Sequence, residues 1–233
     1  MSQPSTGISW EYCGSICYGY SGFGGIDLST HTERELTWTG GGSPFAIGAK
    51  PLGMWLFVIS DALTFSAFLV AYTYERLANP NWPAPFGLSS ITQATLMTFV
   101  LLTSSYTMAL AVQAIKAGER SRTVRMLLAT VGLGLAFIGL HLAEWLHLIQ
   151  AEKVTLAANP WNEPLFGATF FGLTGLHMAH VTAGVIYLAV VAAAVARGKL
   201  TGHDVETSGL YWHFVDLVWM FIFPMVYLMS AKL

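Results

Sequence analysis

The sequence predicts an all-α fold: a polytopic membrane bundle of five transmembrane helices preceded by a glycine-rich amino-terminal arm. Three observations predict it. Only 10% of the 233 residues are charged while 54% are hydrophobic, against roughly a quarter charged in an ordinary soluble domain. Five apolar runs reach the roughly 20 residues that a helix needs to cross a bilayer. None of these runs alternates apolar with polar positions as barrel strands do, and a segment in hydrocarbon must satisfy its own backbone groups, so each is a helix. The net charge is −2 with no basic tract, which excludes the electrostatic footprint of nucleic-acid binding.

Residues 1–50 form the arm. They hold ten of the 23 glycines, Cys13 and Cys17, and scattered aromatics such as Trp10, Tyr12, Tyr18 and Trp38. A segment so rich in glycine becomes ordered where something restrains it, and a neighbouring subunit is the expected restraint. Two cysteines without a second ligand pair, in a segment expected on the cytoplasmic side, read as free thiols and not as half of a metal site. No basic segment followed by an apolar stretch opens the chain, so no cleaved leader is expected.

The five-helix domain occupies 51–233. The first span, about 51–74, carries Asp61 near its centre, and the turn "NPNWPAPFG" (79–87) separates it from the second, about 91–115. The third, about 126–151, carries Glu144; small residues recur along it at Gly132, Ala136, Gly139 and Ala143, a spacing that lets helices approach closely. The fourth, about 165–196, repeats that pattern at Gly172, Gly175, Ala179 and Ala183. It is too long for a perpendicular crossing and should tilt or protrude. The fifth, about 207–231, contains Pro224, which predicts a kink.

The direction of the spans follows from their basic residues. The stretch "IKAGERSRTVR" between the second and third spans carries Lys116, Arg120, Arg122 and Arg125, and cytoplasmic loops are enriched in such residues. Alternating crossings then place the amino terminus, Arg197 and Lys199 inside, and the carboxy terminus with Arg76 and Lys153 outside.

Polar side chains inside the spans are the candidate functional residues, because a charge at mid-bilayer costs about 2.5–3.5 kcal/mol on insertion scales and needs a partner, water or protonation. Asp61 and Glu144 are expected to contact lipid headgroups and water, or a neighbouring helix. His213 and Asp216 lie three residues apart on one face of the fifth span, which suggests a bond between them and to a neighbouring helix or subunit. His177 and His180 likewise share a face. Hydrogen-bonded packing is the preferred role for these two, ahead of proton handling and of metal ligation. Di-iron membrane proteins need two Glu-x-x-His motifs and further glutamates, and only Glu144 with His147 matches. Seven histidines in all are too few for a haem and copper centre built by this chain alone.

Two stretches, "GLHMAHVTAG" and "GLYWHFVDLVWMFIFPMVYL", resemble the signature segments of the third subunit of haem-copper oxidases. "PLGMWLFVISDALTFSAFLVAY" and "FIGLHLAEWLHLI" resemble that family's carboxylate-bearing helices, and the resemblance runs from about residue 51 to the end. It implies a non-catalytic subunit of a bacterial inner-membrane cytochrome c oxidase. Haem and copper would sit in the partner catalytic subunit I and none would be bound by this chain. Phospholipid would lie in a cleft, and a larger respiratory supercomplex is among the implied partners. Asp61 and Glu144 match the family's cleft carboxylates, while His177, His180, His213 and Asp216 match its signature polar positions for packing or subunit contact. The implied work is to stabilise the catalytic subunit during turnover and to support proton uptake. The same subunit in a quinol oxidase or a nitric oxide reductase complex is the nearest alternative. A small metalloenzyme using His177, His180 and Glu144, with His141 and His147, is the alternative from another class. Longer family members have two further spans at the amino end, where this chain has its glycine-rich arm.

Overall fold

The computed structural model describes residues 49–232 apart from 152, 157–159 and 162. The amino-terminal arm, with Cys13 and Cys17, lies outside the described residues. Helices α1 (Ala49–Ala78), α2 (Leu88–Lys116), α3 (Arg120–Gln150), α4 (Pro164–Ala196) and α5 (Gly202–Ile222) follow one another, and α5 runs directly into a π-helical segment, Phe223–Leu228. All five are long and apolar enough to cross a membrane, so the described part of the chain is the multi-pass bundle that its composition predicts. At 33 residues, α4 is about 50 Å long, well beyond the roughly 30 Å of a bilayer's hydrocarbon.

Several helices start earlier than the apolar runs suggest, because polar residues build their ends. The basic stretch expected as a loop between the second and third spans is mostly helix. Lys116 ends α2, Arg120 opens α3, and only residues 117–119 connect them. Gly118 makes this possible at φ 78°. Its N–H bonds Ile115 O at 3.1 Å and the next N–H, of Glu119, bonds Ala114 O at 2.9 Å, a pairing that closes a helix on a left-handed residue. The end of α4 repeats the device with Gly198 at φ 73°, whose N–H bonds Val195 O while Lys199 N–H bonds Ala194 O. Helix α5 then begins at 202 and not near 207, since the Asp204 carboxylate accepts from both the N–H and the hydroxyl of Thr201, satisfying a donor that the first turn leaves free.

Helices α2, α3, α4 and α5 pack in a ring, each on the next and α5 back on α2, while α1 lies outside it against α4 and α5. The sharing of burial ranks them: 56% of the most apolar window of α5 is buried inside the bundle, but only 11% of that of α1. Ion pairs Lys50–Asp204 (2.8 Å) and Lys116–Glu206 (2.7 Å) join the helices at one end, here called the basic end. At the opposite end Arg76 donates to Ser230 Oγ and Met229 O, Ser230 also meets the Tyr72 hydroxyl, and Lys232 N–H bonds Phe86 O. The carboxy-terminal segment is thereby tied to α1 and to the connection before α2.

The glycines expected to mark close contacts behave differently on α3 and α4. A side chain at Gly132 or Gly139 would meet nothing within 4 Å, so neither marks a close helix contact among the described residues. The close approach on α3 is at Gly134, where an added Cβ would fall 2.6 Å from Val185 and 2.9 Å from the Trp212 indole. Gly184 on α4 faces the same indole at 2.9 Å. Trp212, fully buried, therefore occupies space that the two glycines leave, and its Nε1 donates to Ser104 Oγ on α2. On α4, Gly172 and Gly175 do admit neighbours, Phe68 of α1 and Trp145 of α3. The break expected at Pro224 takes the form of the π-helical segment, closed by Met229 N–H to Pro224 O at 3.1 Å. Proline has no N–H to continue the regular ladder, and a wider turn accommodates that.

Candidate functional site

The intramembrane polar residues reach different neighbours, and those contacts define what they can do. His177 and His180, one turn apart on α4, divide between two of them. His180 turns toward α1: its Nδ1 lies 2.8 Å from Leu176 O and its Nε2 3.1 Å from Asp61 Oδ2. A carbonyl oxygen only accepts, so Nδ1 carries a hydrogen. The Nε2 nitrogen is the atom that meets the Asp61 carboxyl. Both side chains are about one-fifth exposed, at 19% and 18%. Phe65 packs edge-on against the ring at 5.1 Å between centroids, and Tyr211 of α5 donates its hydroxyl to His180 O. Asp61 is thus bonded to α4, in the seam where α1, α4 and α5 meet.

His177 turns into the ring of helices. It is fully buried, and its Nε2 donates to Val215 O of α5 at 3.2 Å. Trp219 tilts against it at 5.2 Å and Phe137 meets it edge-on at 5.7 Å. The same two rings contact His141, also fully buried. One turn along α3, Glu144 is 1% exposed and accepts the Tyr227 hydroxyl at 2.9 Å. Trp219 in turn donates its Nε1 to Thr98 of α2 at 3.0 Å. Every helix of the ring is therefore joined to α5 or its π-helical extension by a hydrogen bond as well as by packing.

The expected bond between His213 and Asp216 is absent from the described residues. Their positions on α5 point them to different surroundings: Asp216 is buried at 6% exposure, and His213 faces outward. The partner of His213 is Ser105 of α2, with Oγ 2.6 Å from Nδ1. Nor do the proposed metal ligands converge. Glu144 is engaged by Tyr227, His177 by Val215, and His180 by Leu176 and Asp61. Among the described residues no group of three or more His, Cys, Asp or Glu side chains is placed to hold a metal ion. Sequence reasoning missed Tyr227, Ser105 and Tyr211, whose partners are distant along the chain. It also missed Gly134 and Gly184, which only the indole between them distinguishes from the other glycines.

Helices cross-linked in this way through buried histidines, carboxyls and indoles define a polytopic membrane subunit whose polar side chains hold its helices together. The profile of the family described as cytochrome c oxidase subunit III matches residues 25–231, reaching back into the arm beyond the residues that carry the sequence resemblance. Cytochrome c oxidase subunit 3 of Alkalihalophilus pseudofirmus is 33% identical over 185 residues, covering 78% of this chain and 87% of the relative. Quinol oxidase subunit 3 of Bacillus subtilis is 32% identical, covering 77% and 86%. Cytochrome c oxidase subunit 3 of the lancelet Branchiostoma lanceolatum is 33% identical over 205 residues, covering 83% of this chain and 74% of the relative. The chain belongs to the cytochrome c oxidase subunit III family.

Proposed function

We propose that the chain is the non-catalytic third subunit of a bacterial cytochrome c oxidase, seated in the plasma membrane beside the catalytic subunit that holds haem and copper. The observation that carries this reading is the family match over residues 25–231. The bonding of the intramembrane polar groups supports it, since Asp61, Glu144, His177 and His180 each answer a neighbouring helix. Such a bundle supplies a stiff surface against which a larger subunit packs. Its contribution to oxygen reduction is to keep that subunit intact through turnover and to support proton uptake at its cytoplasmic mouth. The basic end faces the cytoplasm in this reading, with Lys116, Arg120, Arg122, Arg125, Arg197 and Lys199 at the inner headgroups, as the enrichment of such residues in cytoplasmic loops requires. Phospholipid fills the grooves between helices, among them one between α3 and α4 lined by Leu142, Trp145, Gly175 and Ile186. Relatives from cytochrome c and quinol oxidases are equally similar, as expected if the electron donor docks on other subunits.

The test is the oxidase purified with and without this chain. The initial rate of oxygen consumption should be largely retained on removing it, whereas the number of turnovers before inactivation should fall severalfold. An oxidase that loses its initial rate at once, with all other subunits and haems in place, contradicts a supporting role.

A further inference from the structure

Most of the buried side-chain polar atoms without a hydrogen-bond partner among the described residues lie in one place. Five belong to α3 and the neighbouring turn of α4: both ring nitrogens of His141, Glu144 Oε1, Trp145 Nε1 and His177 Nδ1. His141, Glu144 and Trp145 stand three and four residues apart on α3, so they share one face. The Trp219 indole ties the group together. It lies 5.6 Å from the His141 ring, 5.2 Å from that of His177 and 6.0 Å from Tyr227, the phenol that bonds Glu144. A buried polar atom left without a hydrogen bond is costly, and five gathered together call for a common partner.

The chemistry of these atoms selects that partner. Trp145 Nε1 only donates, Glu144 Oε1 accepts, and the imidazole of His141 offers one donor and one acceptor. His177 gives its donor to Val215 O, so its Nδ1 accepts. A metal cation has no use for the N–H groups, and no three ligating side chains among the described residues are placed to hold one. An anion would be repelled by Glu144 and by the bare ring nitrogens. Water both donates and accepts, and a buried water typically makes about three hydrogen bonds to groups of this kind.

Trp145 sets the way in. Its ring meets His141 edge-on at 5.5 Å between centroids and Phe171 at 5.2 Å, and its tip abuts Gly175 of α4, where an added Cβ would fall 3.2 Å away. The same indole lines two grooves, one of about 290 Å³ with Ile149, Thr155 and Leu156, and one of about 710 Å³ with Leu142 and Gly175. Thr155 and Leu156 belong to the connection between α3 and α4, so the smaller groove lies at the end of the bundle away from the basic end. His141 is nine residues before Gln150, the last of α3, or about 14 Å from that end. With the indole against His141, the ring nitrogens are closed off. A swing of the indole into either groove would free a space beside them, and each groove exceeds the roughly 30 Å³ share of one water many times over. We propose that His141, with Glu144 and His177 at its edges, is a binding site for internal water, and that Trp145 is the gate that admits it from the groove at the α3–α4 connection.

The experiment uses the assembled oxidase in two measurements: a map at a resolution that shows ordered water, and deuterium exchange of the histidine ring hydrogens followed by NMR. The expected map has density within about 3 Å of a His141 ring nitrogen, and that density is lost in His141→Phe. In Trp145→Ala the His141 ring hydrogen should exchange about tenfold faster than in the unaltered chain. Trp145→Phe, the milder change, should raise the rate about threefold and serves if the alanine variant does not assemble. Ring nitrogens that face only aromatic carbon, with no density beside them, overturn the proposal, as does a metal ion in the same place. Exchange that neither substitution at Trp145 alters overturns it too. Haem content is the same in each of these outcomes, so the family reading stands or falls separately.

Discussion

The Asp61–His180 contact makes the most exacting prediction, because each substitution has a different expected outcome. The pair spans α1 and α4 at 3.1 Å with about one-fifth of each side chain exposed, and α1 has the least buried surface to fall back on. Hydrogen bonds between membrane helices contribute about 0.6 kcal/mol on average and up to about 1.7. A direct contact in the seam between three helices should lie toward the upper end, so a double-mutant cycle of Asp61→Leu and His180→Leu should give a coupling of about 1–1.7 kcal/mol. The single His180→Leu should be the more damaging, since it leaves a carboxyl without its partner. Asp61→Asn should be mild, at about 0.5 kcal/mol or less, because His180 keeps its Nδ1 hydrogen on Leu176 O and its free Nε2 can accept from the new amide. The assay is denaturant unfolding of the detergent-solubilised complex followed by release of this chain. Additive effects, with a coupling below about 0.3 kcal/mol, would refute the pairing.

Removing the donor to the most deeply buried carboxyl should also register: Tyr227→Phe is expected to cost about 1–2 kcal/mol in the same unfolding assay, and an unchanged midpoint would mean that Glu144 has another donor. Gly184→Val should destabilise the bundle by about 1–3 kcal/mol because its side chain must displace the Trp212 indole. Gly139→Ala, with open space around it, should stay within about 0.5 kcal/mol or gain slightly from the better helix former; equal effects at the two sites would contradict the packing described. Gly118→Ala, at φ 78°, should cost about 1–2 kcal/mol by forcing a Cβ into the left-handed region, measured as a lower unfolding midpoint.

Much of this architecture was legible because the bilayer allows so few solutions. Apolar runs with no alternation had to become helices, and the five runs are five helices. Their ends were less legible, since hydropathy is blind to the devices that close them: Gly118 turns the chain within three residues and Gly198 within five, and Asp204 caps α5 well before its apolar run begins. Asp61, Glu144, His177, His180, His213 and Asp216 could be singled out because each is costly in hydrocarbon. Their partners could not, because a hydrogen bond joins residues that only the packing makes neighbours. Asp61 meets His180 across 119 positions and Glu144 meets Tyr227 across 83. Helical spacing favoured His213 with Asp216, yet the three-residue step turns one outward and buries the other. The glycine stripe on α3 misled for a related reason, as spacing tells which residues share a face but not which face meets a tryptophan.

The central claim is that this chain supports an oxidase whose redox centres another subunit holds. Its most direct measurement is haem and copper content across the subunits of the native complex, separated under mild conditions. The account predicts that this polypeptide copurifies with a larger haem-bearing chain and, once separated, shows no haem absorption and no stoichiometric copper. Haem or copper remaining with the isolated five-helix chain at a one-to-one ratio would contradict it.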